Sequence, residues 1–153
     1  MFARLAIPSL AVVTLLAGCT SAVPLTPADG ANDPACAEVM VRLPESVSGH
    51  ARRSTNAQST AAWGDPASVI LRCGLPETGP SELPCFTVNG IDWLRDDTDA
   101  PVYRFITFGR SPATELIVDS DTASGVDAVD AVGTAVGAIP ATSKCLSSED
   151  VFG

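Results

Sequence analysis

The sequence predicts an α+β domain: a small antiparallel sheet covered by an N-terminal and a C-terminal helix, stapled by two disulfides. Three observations carry that prediction. Apolar residues recur every three or four positions over residues 36–43 and again over 126–139, the period of a helix with one buried face. Between these stretches lie short β-branched or alternating runs parted by Gly, Pro, Asn and Asp, the pattern of strands and turns. Four cysteines, Cys36, Cys73, Cys85 and Cys145, stand inside the same region. A chain of 153 residues is long enough for one domain with a modest core.

The first segment, residues 1–18, reads as a targeting signal. Arg4 supplies a short positive region, and residues 5–17 then run without a charge. That run suits the apolar part of an export signal and falls short of the roughly 20 residues that span a bilayer. It closes on Leu16-Ala17-Gly18-Cys19, which resembles the lipobox of bacterial lipoproteins. Small side chains at Ala17 and Gly18 open the backbone to a peptidase, and Cys19 offers a soft nucleophile for a lipid. The resemblance implies cleavage before Cys19, a lipid on its sulfur and acylation of its new amino group. Ordinary secretion with cleavage after residues 20–22 is the alternative. Two or three chains anchor firmly where one binds marginally, at about 0.8 kcal/mol per buried methylene.

Residues 19–32 then form the lipidated cysteine and a flexible tether, rich in Pro, Gly and small polar residues, with a reach of about 20 Å as a coil. The folded domain covers 33–147. Asp33-Pro34 opens a helix over 34–43, with Asp as N-cap and Pro in the first turn. Cys36, Val39, Met40 and Leu43 form its apolar stripe, and Pro44 ends it. Residues 45–62 are polar without a sustained period, a loop with a short extended piece at 47–53.

Gly64 to Pro66 is turn chemistry, residues 68–73 a strand, and 74–84 a Pro/Gly-rich loop. Two short extended pieces flank Asn89-Gly90, a hairpin signal of the I′ type. The acidic run 95–101 turns, 102–108 alternates as a strand, 109–112 turns, and 113–119 runs back as its partner. Val126, Val129, Val132, Val136 and Ile139 mark a helix over 122–139, capped by Asp121 or Thr122. Its three glycines each cost about 1 kcal/mol against alanine, so packing must hold it. Pro140 stops it, and residues 148–153 are a tail.

An even set of cysteines in an exported domain reads as disulfides, and four allow three pairings. Cys36–Cys73 with Cys85–Cys145 is favoured. Each bridge would close a loop of some tens of residues, contributing about 4 kcal/mol on the chain-entropy model. No C-x2-C occurs and His50 is the sole histidine, so no metal site is expected. Removing residues 1–18 takes away Arg4 and no acid, moving the formal net charge from −9 to −10. Such a surface repels nucleic acid and anionic lipid. Membrane association is therefore expected through the lipid on Cys19, and no nucleic-acid partner is expected.

The stretches "AWGDPASVILRCGLP" (62–76), "VNGIDWL" (88–94) and "FGRSPATELIV" (108–118) together resemble the DUF3515 family of actinobacterial proteins of unknown function. The resemblance covers about residues 33–147. It implies an exported or lipid-anchored envelope protein, and it carries over no catalytic residue.

Within those stretches, Trp63 and Trp93 are expected to anchor the core, with a stacking platform for a sugar as the alternative. Gly64, Gly74 and Gly109 suit backbone turns. Arg72 and Arg110 could bind an anionic group, although a solvated or salt-bridged arginine is the commoner case. His50 is the only base open to a Ser-His-Asp hydrolase, sits beside Arg52 and Arg53, and has no G-x-S-x-G to serve. Asp119, Asp121, Asp127 and Asp130 are spaced somewhat like a calcium loop, but Ala123 and Ser124 stand where an oxygen ligand and a glycine are needed. Asp96, Asp97 and Asp99 read as a solvated turn.

The expected function is thus a lipid-anchored extracytoplasmic lipoprotein acting as a non-enzymatic binding or accessory module. Its expected partners are an envelope protein or cell-wall ligand. No catalytic residue, metal or cofactor is assigned. The alternative is an enzyme, or a small-ligand or metal-binding protein, acting on envelope material. Arg110 and Asp92 are the ligand-binding candidates.

Overall fold

A computed structural model describes residues 21–146. The expected signal, the lipidation site Cys19 and the tail at 148–153 lie outside the described residues. Helix α1 spans Pro34–Met40. Its N-cap Asp33 accepts a hydrogen bond from the Ala35 N–H at 2.8 Å, with Pro34 in the first turn. It stops short of Pro44, and Leu43 reaches the core from beyond the helix end.

Eight strands follow: β1 Ser46–Val47, β2 His50–Arg53, β3 Thr60–Trp63, β4 Val69–Leu75, β5 Cys85–Val88, β6 Ile91–Asp96, β7 Val102–Thr107 and β8 Ala113–Asp119. Helix α2, Gly125–Val136, comes last. The strands form one antiparallel sheet in the order β1-β2-β3-β4-β8-β7-β6-β5. Two four-stranded meanders therefore meet along β4 and β8, where Val69 pairs with Val118 and Leu71 with Leu116.

The expectation of a small sheet covered by two terminal helices needs correction. The fold is mostly sheet, and its helices are minor parts of it. The stretch at 45–62, expected as a loop with a short extended piece at 47–53, holds β1, β2 and most of β3, and the expected piece overlaps the β1–β2 hairpin. Ser48 and Gly49 both have positive φ and join β1 to β2 as a two-residue hairpin, the same device as Asn89 and Gly90 between β5 and β6. Ser is a weaker sign of that turn than Asn, and β2 shows no alternation because its residues are all exposed or half-buried.

One face of the sheet carries the core. Trp63, Val69, Leu71, Cys73, Phe105, Leu116 and Val118 join Val129, Val132, Val136 and Ile139 of the α2 region. Helix α2 packs on β1, β5, β7 and β8, and α1 packs on α2 and β4. Both tryptophans are fully buried, and the Trp63 indole N–H donates to the Pro44 carbonyl at 3.1 Å. The cap of α2 is Ser124, whose hydroxyl accepts from the Asp127 N–H at 3.3 Å, not Asp121 or Thr122. Val126 points outward, 65% exposed, so it drops out of the expected stripe.

Two disulfides staple the domain. Cys36 of α1 is bonded to Cys73 of β4, and Cys85 of β5 to Cys145 beyond α2, the favoured one of the three pairings. At Gly74, φ is +111° and the β4–β8 register shifts. There the Gly30 N–H donates to the Gly74 carbonyl at 2.9 Å. A side chain on Gly74 would collide with the backbone of Gly30 and Ala31.

Candidate functional site

On the sheet face away from the helices, β8 places Glu115 between β4 and β7. Its cross-strand neighbours are Arg72 on one side and Ile106 on the other. The Glu115 carboxylate is fully buried. One oxygen accepts from Arg72 Nε at 2.8 Å and Nη2 at 2.5 Å. The other accepts from Arg104 Nε at 2.8 Å and pairs with its Nη2. A buried carboxylate needs such compensation, so Arg72 is salt-bridged.

Asp96 pairs in register with Arg104 on the next strand. Its carboxyl is held below the usual range, chiefly by hydrogen bonds from the Thr98 hydroxyl at 2.6 Å and the Thr98 N–H at 3.0 Å, with Arg104 adding to the effect. The four charges on this patch therefore balance among themselves.

The ligand-binding candidates Arg110 and Asp92 come together around the chain that follows α2. Arg110 is 7% exposed, and its Nη1 donates to the Ile139 carbonyl. Arg110 also bridges Ala141 in antiparallel fashion. Burial lowers the pKa of its guanidinium, and the field of Asp92 partly restores it. Asp92 accepts from the Thr87 hydroxyl at 2.5 Å and from the Cys145 N–H at 2.8 Å. The Thr142 N–H donates to the Gly109 carbonyl at 2.6 Å. Gly109 has positive φ and lies so close to Ser143 that no side chain fits. All these contacts clamp residues 138–146 as a strap along the end of the second meander, and the Cys85–Cys145 bridge fastens its far end.

Beneath that strap lies a cavity of about 730 Å³. Leu94 and Phe108 from the sheet side, Pro80 from the preceding loop, Leu146 and the Cys85–Cys145 bridge give it mostly apolar walls. Glu77, Ser81 and Lys144 also line it. A concave, largely apolar cavity with a few polar groups is the form that small-ligand sites take. Sequence reading passed over it, because loop 74–84 carries turn residues and no chemical motif. The loop's three prolines, Pro76, Pro80 and Pro84, were the available sign of a rigid wall.

His50 lies apart from the cavity's lining residues, its Nε2 against the Thr122 carbonyl at 3.0 Å. That contact requires the proton on Nε2 and occupies it. Arg53 pairs with Asp65 at 2.7 Å. In the stretch 119–130, Asp119 accepts from the Asp121 N–H at 3.1 Å, and Asp130 accepts from the Asn89 side chain. Among the described residues no group of three or more His, Cys, Asp or Glu is placed to hold a metal ion, and no helix is long and apolar enough to cross a membrane.

A family model described as a protein of unknown function, DUF3515, matches residues 4–144. No curated protein and no solved structure matches the chain.

Proposed function

This chain belongs to the DUF3515 family, and on that premise we propose that it is a lipid-anchored lipoprotein on the extracytoplasmic face of an actinobacterial cell membrane. There it acts as a non-enzymatic binding or accessory module of the envelope. The observation that carries the reading is Leu16-Ala17-Gly18-Cys19 at the end of an uncharged run, upstream of a domain joined by two disulfides. Disulfides persist in oxidising compartments, and the lipobox-like motif supplies both the address and the anchor. The open, largely apolar pocket beside the Cys85–Cys145 bridge is the binding site of choice, since its volume of about 730 Å³ lies in the range of small-ligand sites.

Intact-mass measurement of the membrane-extracted protein tests the anchor. The expected polypeptide begins at Cys19 and carries diacylglyceryl and acyl additions, with four remaining cysteines oxidised. A Cys19→Ser variant is expected to leave the membrane fraction or to keep residues 1–18. An uncut polypeptide with five free thiols overturns the proposal. Crosslinking on intact cells then identifies the envelope neighbour or ligand.

A further inference from the structure

The two disulfides occupy opposite environments. Cys36 and Cys73 are both fully buried between α1 and the sheet. Cys85 is exposed on edge strand β5, Cys145 is half-buried, and their bridge forms a wall of the apolar cavity. Exposed bridges are the ones that exchange with thiols, because attack on a disulfide requires access to a sulfur. We propose that Cys85–Cys145 is a reversible thiol–disulfide exchange site whose reaction partner is a protein dithiol, docked through the apolar rim of the cavity.

The geometry orders the steps. The partner's thiolate attacks the sulfur of Cys85, the more exposed residue of the pair. A bond forms between the partner sulfur and Cys85, and the electron pair of the broken S–S bond goes to Cys145, whose thiolate takes a proton from water. The partner's second thiol then loses its proton to water and attacks the partner's own sulfur in the mixed disulfide. Cys85 leaves as a thiolate and is protonated. One disulfide has been reduced in this chain and one formed in the partner, so atoms and electrons balance.

Reversibility follows from the strap. After scission, Asp92 still holds the Cys145 N–H, Gly109 still holds Thr142, and Arg110 still holds Ile139. The two thiols therefore stay neighbours at high effective concentration, and an oxidised partner dithiol closes the bridge by the same steps in reverse, its own disulfide being reduced. Docking follows from Leu146, which is 74% exposed beside Cys145 on the rim of the cavity. The proposal does not depend on the lipid anchor.

The test uses the full chain in native buffer with two reductants, dithiothreitol and a thioredoxin-type C-x-x-C protein. Alkylation of acid-quenched samples and peptide mapping follow each cysteine. Cys85 and Cys145 are expected to become alkylated faster than Cys36 and Cys73, by on the order of tenfold or more. They are expected to re-form the same bridge once the reductant is exchanged for the oxidised form of the C-x-x-C protein, which is reduced in turn. Leu146→Asp, at an exposed position, is expected to slow the protein dithiol and leave the dithiothreitol rate unchanged. Equal rates at the two bridges, or opening of Cys85–Cys145 only in denaturant, overturns the exchange site. An unchanged protein-dithiol rate in Leu146→Asp overturns the docking.

Discussion

Glu115 shows what single side chains do in this fold. A carboxylate with no exposure sits under two guanidiniums, each taking one oxygen. Replacing one arginine by methionine leaves Glu115 a partner. Replacing both, Arg72→Met with Arg104→Met, leaves a buried charge unpaired and is expected to cost about 3–5 kcal/mol by urea unfolding at neutral pH. Asp96 carries a pH dependence. Its folded-state pKa is depressed, so its contribution is present above the ordinary aspartate pKa, about 3.9, and is lost as pH falls through the folded value. Thr98→Ala is expected to move the Asp96 titration back toward that ordinary value in an NMR titration of the carboxyl. Arg72 was visible in the sequence as a charge in need of a partner. Glu115 was not, because a lone acid inside an alternating apolar run names no neighbour until β4 and β7 close on both sides of β8.

Among the elements, α2 depends most on its surroundings, since it holds Gly125 and Gly133 within twelve residues. Its start is fixed by Ser124, so Ser124→Ala is expected to cost about 1 kcal/mol in equilibrium unfolding, whereas Asp121→Ala should be close to neutral there. The strap depends in the same way on Gly109, whose positive φ and closeness to Ser143 exclude a side chain. The two helices and the strands after residue 68 were legible because their apolar periods and turn residues agree. Strands β1 and β2 showed only as one extended piece at 47–53, and β3 not at all. β1 holds two residues, β2 is His-Ala-Arg-Arg, and β3 is an Ala-rich strand buried on both faces. Pairing to neighbours makes these segments strands, and a one-dimensional pattern does not record pairing. Val126 failed for a related reason: the helix begins only at Gly125, so its first turn carries a valine outside the buried face.

For the molecule as a whole, the bridges link distant segments. Cys36–Cys73 spans a separation of 37 residues, and Cys85–Cys145 one of 60. Removing the first with Cys36→Ala and Cys73→Ala is expected to cost about 4 kcal/mol on the chain-entropy model, read as a lower urea midpoint with a steeper slope, because the freed unfolded chain exposes more surface. The cavity at the second bridge was hidden from sequence reading, because it is assembled from β6, the segment after β7, a proline loop and the strap, which are far apart along the chain.

The bridges are also consecutive: the first two domain cysteines pair with each other, and so do the last two. A polypeptide that emerges from a ribosome or a translocation channel by its N-terminus delivers Cys73 when Cys36 is the sole domain cysteine already outside. Cys85 then waits unpaired until Cys145 arrives. Order of emergence alone therefore selects the native connectivity, and the protein should mature under a simple oxidant without an isomerase to unscramble it.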